Sequence, residues 1–166
     1  MGRFNEFRTA NQSYTETFEH GDLPMPPKRQ VAVITCMDAR LHPEKFLGLE
    51  VGDAHMIRNA GGRASDDAIR SLVISQRLLG TNEVVVIHHT DCGMLTFRNR
   101  DLADKCREEL GVDVGDVDFL PFKDLEQSVR DDVQILRSSP LIPDDIPISG
   151  AIYDVRTGQL DTVVSG

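Results

Sequence analysis

Two short, almost purely aliphatic runs, Val31-Ala32-Val33-Ile34 and Val84-Val85-Val86-Ile87, set the architecture open to this chain. Continuous apolar runs of this length, unlike alternating ones, belong to strands buried on both faces, and such strands occur in parallel sheets covered by helices. Each run also ends on residues that carry chemistry. Cys36-Met37-Asp38-Ala39-Arg40 follows the first, and His89-Thr90-Asp91-Cys92 closes the second. The carboxyl ends of parallel strands are where open α/β sheets build their sites.

The remaining elements fit this frame. Strands are expected over 31–36, 54–59 and 83–89, with a short helix begun by Pro43 and a longer one over 66–79 between them, the rhythm of βαβ units. Ser65 before Asp66 and Asp67 is a helix start, pairing a capping hydroxyl with carboxylates at the positive end of the helix dipole, and Gly80 is the matching stop. Helices at about 94–109 and 123–137 follow, and Thr157-Gly158 is expected to turn the chain between late strands 148–155 and 160–164. Ahead of all this, Phe4, Phe7, Tyr14 and Phe18 form one loose apolar stripe over residues 4–19, and the Pro24-Met25-Pro26-Pro27 stretch separates that arm from the sheet. The expected organisation is an α/β fold: a helical arm and proline-rich connector over 1–30, then a single domain over 31–166 with a central, mostly parallel sheet flanked by helices. The arm has too little apolar surface for a core of its own, so a partner subunit is its expected resting place.

Composition narrows the function. Eighteen Lys and Arg against 27 Asp and Glu give a net charge of −9, a field that repels nucleic-acid backbones and anionic membrane surfaces. No uninterrupted apolar stretch is long enough for a membrane span. Three cysteines without a signal-like start indicate a reducing, cytoplasmic setting, where a Cys/His set reads as a metal site rather than a disulfide framework. The expected substrate is small and weakly charged.

Cys36, His89 and Cys92 form a donor set suited to zinc, with three protein ligands and a fourth position left for water or for Asp38. Zinc lowers the pKa of a bound water from about 15.7 to about 7, giving a hydroxide able to attack a polarisable carbon. Two thiolates donate charge to the metal and should place the activity optimum above neutral pH. Arg40, two residues from Asp38, is expected to pair with it on the same side of an extended segment, so that Asp38 accepts the proton of the hydroxide. If that pair breaks, Asp38 can itself fill the fourth position and close the site. His88 competes with His89 as a ligand, but alternation along a strand sends the two rings to opposite faces, and the spacing to Cys92 favours His89. Cys106, with Leu102 and Leu110 at helical steps, reads as part of a core stripe. His42 and His55 have no partner spacing, and His20 reads as solvated. Arg58-Asn59-Ala60-Gly61-Gly62 follows a strand, and its glycines would let backbone approach a ligand or an anion closely.

These residues resemble the β-class carbonic anhydrases, whose hallmark is Cys-x-Asp-x-Arg followed by His-x-x-Cys. Here those positions are Cys36, Asp38, Arg40, His89 and Cys92, and the likeness extends through Arg58 to Gly61, the Ser71-to-Gly80 helix and Glu83 to Gly93. The resemblance implies one zinc ion per chain on Cys36, His89 and Cys92, an Asp38–Arg40 dyad, and reversible hydration of carbon dioxide to bicarbonate. It also implies a homodimer or homotetramer with the amino-terminal arm laid over a neighbour. The chain is similar to the short branch of that family, with Ala39 where many members carry Ser. It has no tryptophan, the residue that members with a regulatory bicarbonate site use there. Some relatives with the same ligands hydrolyse carbon disulfide or carbonyl sulfide. Further from the family, Cys36 could be the nucleophile of a thiol phosphatase or sulfurtransferase with Arg40 as anion clamp, or Asp38 could complete a closed structural zinc site in a binding module.

Overall fold

The structure, a computed structural model, describes residues 2–166. Strands β1 (Val31–Cys36), β2 (Ala54–Asn59), β3 (Glu83–His89), β4 (Ile148–Tyr153) and β5 (Leu160–Val164) form one sheet in the order β2-β1-β3-β4-β5. The pairs β1–β2, β1–β3 and β3–β4 are parallel, and β4–β5 is antiparallel. Chain order reverses direction across the sheet between β1 and β3, so the carboxyl ends of these two neighbours form the switch point. The helices are α1 (Phe4–Thr15), α2 (Pro43–Leu47), α3 (Asp66–Leu79), α4 (Asn99–Leu110) and α5 (Leu125–Ser138).

Ala32, Ile34, Val84 and Val86 from the sheet meet Leu72 of α3 and Val133 and Leu136 of α5 in one core, with Ile148 closing it. Helix α3 starts and stops on the expected residues: Ser65 Oγ accepts from Ala68 N at 3.3 Å, and Gly80 adopts the left-handed conformation. Asp124 caps α5 in the same way, accepting from Gln127 N at 2.9 Å.

Two expectations are corrected. The helix placed at 94–109 is instead a short 3₁₀ turn (Gly93–Leu95) followed, after a break, by α4 from Asn99. Helix α4 also buries no residue fully: Leu110 is exposed and Cys106 is half-buried, so the stripe through Leu102, Cys106 and Leu110 is not core. Its twelve residues contain only Leu102, Ala103, Cys106 and Leu110 as apolar side chains, too few to compete with α3 and α5 for the sheet. The arm helix α1 forms as expected and likewise buries nothing within the chain. Among the described residues no helix is long and apolar enough to cross a membrane.

One ion pair ties the start of β1 to the start of β2. The buried Asp53 carboxylate accepts from Glu50 N at 3.1 Å and from Arg29 Nε at 3.0 Å, while Arg29 N donates to Asp53 O at 2.9 Å. The Glu50 N–H foremost, with Arg29 beside it, holds the Asp53 carboxyl below its ordinary pKa. A carboxyl depressed in the folded state stabilises the fold above the unfolded value of about 3.9 and ceases to do so as pH falls through its folded value. Asp53→Asn is therefore expected to lower the urea midpoint at pH 7, and the gap to the parent protein should narrow only below about pH 4. A gap independent of pH would show that the charge contributes nothing.

Candidate metal centre

Cys36 is the last residue of β1, and beyond it the chain is gripped from β2. Arg58 Nε donates to Cys36 O at 3.0 Å and its Nη2 to Asp38 O at 2.8 Å, while Met37 N donates to Asn59 O at 2.8 Å. At the end of neighbouring β3, Asp91 takes a positive φ of 55°, a conformation that aspartate tolerates better than most residues, and so folds the chain back. Cys92 then starts the 3₁₀ turn, with Leu95 N donating to Cys92 O at 3.1 Å. Side chains that a whole βαβ unit separates in sequence thus converge because their strands are adjacent.

The donor atoms of Cys36, His89 and Cys92 all lie within 4.8 Å of one another, and all three residues are buried. His89 Nδ1 lies 2.8 Å from Thr90 O, an acceptor, which assigns the ring proton to Nδ1 and leaves the lone pair of Nε2 facing the two sulfurs. Nε2 is buried with no hydrogen-bond partner among the described residues. A buried, unpartnered acceptor is costly unless something else satisfies it. The thiols complete the picture. The Cys92 S–H beside the Cys36 sulfur is the main cause that brings Cys36 down to about 4, against the opposing effect of burial and with help from His89 and the backbone of Asp38 and Gly61. The same contact, with burial, pushes Cys92 up. The two sulfurs thus push each other's pKa in opposite directions, and a cation between them would favour the thiolate form of both. For His89, burial pushes the ring down, but the Cys36 sulfur and the Thr90 carbonyl outweigh it and leave a net upward shift. Two thiolates and an imidazole, buried and convergent, fit zinc.

Asp38 is turned toward Arg40. Arg40 Nε and Nη2 reach the two carboxylate oxygens at 3.0 and 2.7 Å, a bidentate pair, and Arg40 N donates to Oδ1 at 2.9 Å. The segment is a turn rather than an extended strand, so the pairing expected from strand-like spacing arises instead from the chain curling back over the Asp38 side chain. Asp38 does not belong to the convergent donor group, but its Oδ2 lies 3.8 Å from His89 Nε2, at the edge of the site. The Arg40 side chain, then its backbone N–H, hold the Asp38 carboxyl well below the usual range. Sequence reading missed the other partner of Arg40: Nη1 reaches Asp91 Oδ2 at 2.7 Å and Nη2 reaches Asp91 O at 2.9 Å. An acidic residue beside the second cysteine, just past the end of the strand next to the one that Arg40 follows, was the available signal.

Leu41, Met94 and Phe122 pack with Cys36 and Cys92 as a small apolar cluster, with Phe46 and Tyr153 stacked at its margin, ring centroids 4.1 Å apart. The glycine loop also has a definite job. Gly61 N–H donates to Cys36 Sγ at 3.3 Å, so it serves the sulfur rather than an outside anion. His88 points away from the donor set, into contacts with α5. His55 Nδ1 is engaged with Ser75 Oγ at 2.7 Å, and His42 is exposed, 3.9 Å from Glu44.

Residues 31–114 match the sequence profile of the family described as carbonic anhydrase. Beta-carbonic anhydrase 1 of Mycobacterium tuberculosis is 41% identical over 161 residues, covering 96% of each chain. A carbon disulfide hydrolase of an Acidianus strain is 38% identical, over 82% of this chain and 78% of that protein. Among solved structures, a carbonic anhydrase from Streptococcus mutans superposes with a TM-score of 0.95 at 56% identity, covering 98% of both chains.

Proposed function

The chain belongs to the β-class carbonic anhydrase family, and from that premise we propose that Cys36, His89 and Cys92 hold the zinc ion on which its reversible hydration of carbon dioxide to bicarbonate depends. The observation that carries this assignment is the buried, unpartnered Nε2 of His89 facing two thiol sulfurs. Zinc supplies a Lewis acid that brings the pKa of water from about 15.7 toward neutrality.

The chain's own groups do the rest. Asp38, kept ionised by Arg40, offers a carboxylate lone pair at the margin of the donor set, where it can accept a hydrogen bond from the attacking water and orient it. Arg40, anchored on Asp91 as well, keeps that carboxylate from swinging inward. Leu41, Met94 and Phe122, packed with the two cysteines, form an apolar wall beside the donor set that suits a small, uncharged, linear substrate. The same wall would admit carbon disulfide, and the likeness to a protein named for hydrolysing it makes that the second reading.

We further place the enzyme in a homodimer or homotetramer. The support is α1, which exposes Phe4, Phe7 and Tyr14, with Phe18 just beyond, and buries nothing in its own chain. A cytoplasmic location is supported by the two closely placed thiols, which an oxidising compartment would be free to join as a disulfide.

The test is stopped-flow hydration of carbon dioxide by zinc-loaded protein across about pH 6.5 to 9, beside carbon disulfide turnover. Because two thiolates feed charge to the metal, the rate is expected to rise through the alkaline half of the range, with carbon disulfide a poor substrate. Zinc bound at one per chain with no hydration at any pH would overturn the reading.

A further inference from the structure

On the far side of β3 from His89 lies a group of buried polar side chains that the proposed chemistry does not touch. His88, Asp132 and Ser128 are each no more than 2% exposed, and Arg63 is 9% exposed. Asp132, on α5, takes Arg63 Nε at 2.9 Å on Oδ2 and Arg63 Nη2 at 3.1 Å on Oδ1. The same Oδ2 lies 3.0 Å from His88 Nε2, which also faces Gly62 O at 3.2 Å. Both partners of Nε2 are acceptors, so that nitrogen carries the proton and donates. Nδ1 lies 2.8 Å from Ser128 Oγ. Ser, His and Asp follow one another in space, yet Ser128 is no nucleophile: it is buried, with its hydroxyl 2.7 Å from Leu125 O inside α5.

What these side chains hold is the turn 59–63. Gly62 O receives His88, Arg63 is locked on Asp132, and the Asn59 side chain bonds both the N and the O of Arg63 at 2.8 Å. The turn is pressed onto the ends of β1 and β3. Gly62 has a φ of +70°, and a Cβ there would lie 2.9 Å from Cys36 N and 3.1 Å from Ile87 O. From this turn Gly61 N–H reaches the Cys36 sulfur. The His88 ring stacks on Phe122, 5.4 Å between centroids, and Phe122 in turn packs in the cluster that contains Cys36 and Cys92.

We propose that the Arg63–Asp132–His88 cluster is a positioning device: it fixes the Gly61–Gly62 turn and, through the Gly61 N–H, sets the orientation and donor strength with which the Cys36 sulfur meets the metal. This rests on Cys36 being a metal ligand, as proposed above. Groups that hydrogen-bond to a ligand from behind commonly control metal affinity by about 10- to 100-fold.

The test uses the full, metal-free chain. Zinc affinity is read by competition with a chromogenic chelator, and cobalt(II) is then bound in place of zinc to read the thiolate-to-metal charge-transfer band. Asp132→Asn, which keeps the shape but removes the charge that holds Arg63, is expected to weaken zinc binding by about tenfold, the low end of that range because Asp132 reaches the sulfur only through the turn, and to shift the cobalt band while the chain stays folded. Ser128→Ala, which leaves His88 on both Asp132 and Gly62, should cost less than about threefold, well short of that range. A folded Asp132→Asn protein with the parent's zinc affinity and cobalt spectrum would overturn the proposal, whatever its unfolding midpoint, because a merely structural role moves only the midpoint. Should that variant not fold, Arg63→Met combined with Asp132→Leu removes both charges together and is held to the same two readouts. Cys36→Ser is the control for the underlying assignment: parent-like zinc affinity there would sink Cys36 as a ligand, a different failure from that of the positioning cluster.

Discussion

Cys92→Ser is expected to give a folded chain that has lost zinc and, with it, carbon dioxide hydration. Serine occupies nearly the same volume and can still donate a hydrogen bond to the Cys36 sulfur, as the Cys92 thiol does in the metal-free site. The metal-free variant should therefore unfold within about 1 kcal/mol of the metal-free parent, the worth of one ordinary hydrogen bond. What serine lacks is an anionic form near neutral pH, so one of two thiolates disappears from a site with three protein donors. Losing a direct ligand should cost more than the roughly 100-fold upper end seen for supporting groups. The diagnostic reading is thermal. Free zinc at about 100 times its dissociation constant should stabilise the parent by about 2.7 kcal/mol and the variant by nearly nothing. Full zinc stoichiometry and activity in Cys92→Ser would place the metal elsewhere.

Asp38→Asn should separate two roles that the same carboxylate could play. With Asp38 held on Arg40, its task is to accept a hydrogen bond beside the metal and orient the attacking oxygen, and the amide, which can present its N–H₂ instead, should lower kcat by about 10² while zinc remains bound at one per chain. The depressed pKa of Asp38 predicts further that protonation of this group leaves no inflection in the rate profile of the parent near neutrality, since the carboxylate is already ionised throughout. If Asp38 instead served as a fourth ligand that closes the site, the variant would bind zinc more weakly and would gain activity at the acid end of the profile. Zinc content and the low-pH limb of kcat, measured on one preparation, distinguish the two.

Much of the site could be read in the sequence because its chemistry coincides with the strongest structural signal. Cys36 and His89 end the two apolar runs, and buried parallel strands leave little freedom in where such residues come to lie. Helix α3 was equally legible, since Ser65, Asp66 and Gly80 act locally. The supporting groups were not, because nothing local ties Arg63 or Asp132 to Cys36. A trace of Asp132 was nonetheless present. Ser128, Val129, Asp132, Val133 and Leu136 are the buried residues of α5, so an acid and a hydroxyl sit four apart on its inward stripe. An acid at a core position needs a buried donor, and the sequence does not reveal that Arg63 and His88 supply it. Helix α4 failed in the other direction: a four-residue apolar spacing suggested a core stripe, but periodicity gives only the face of a helix, not whether the fold has room for it.

The placement of the donors on two neighbouring strands also governs when the metal can arrive. Cys36 comes from β1 and the other two from the end of β3 and the turn beyond it, so no short stretch of nascent chain contains a binding site. Local sites such as fingers use the ion as a folding template, but here a non-local strand pair must form first, and non-local pairing is the slow part of folding. The sheet therefore has to assemble and persist without zinc. Metal supply then determines what fraction of finished molecules is active, and adds its binding energy to the fold only after the aliphatic strands have paired.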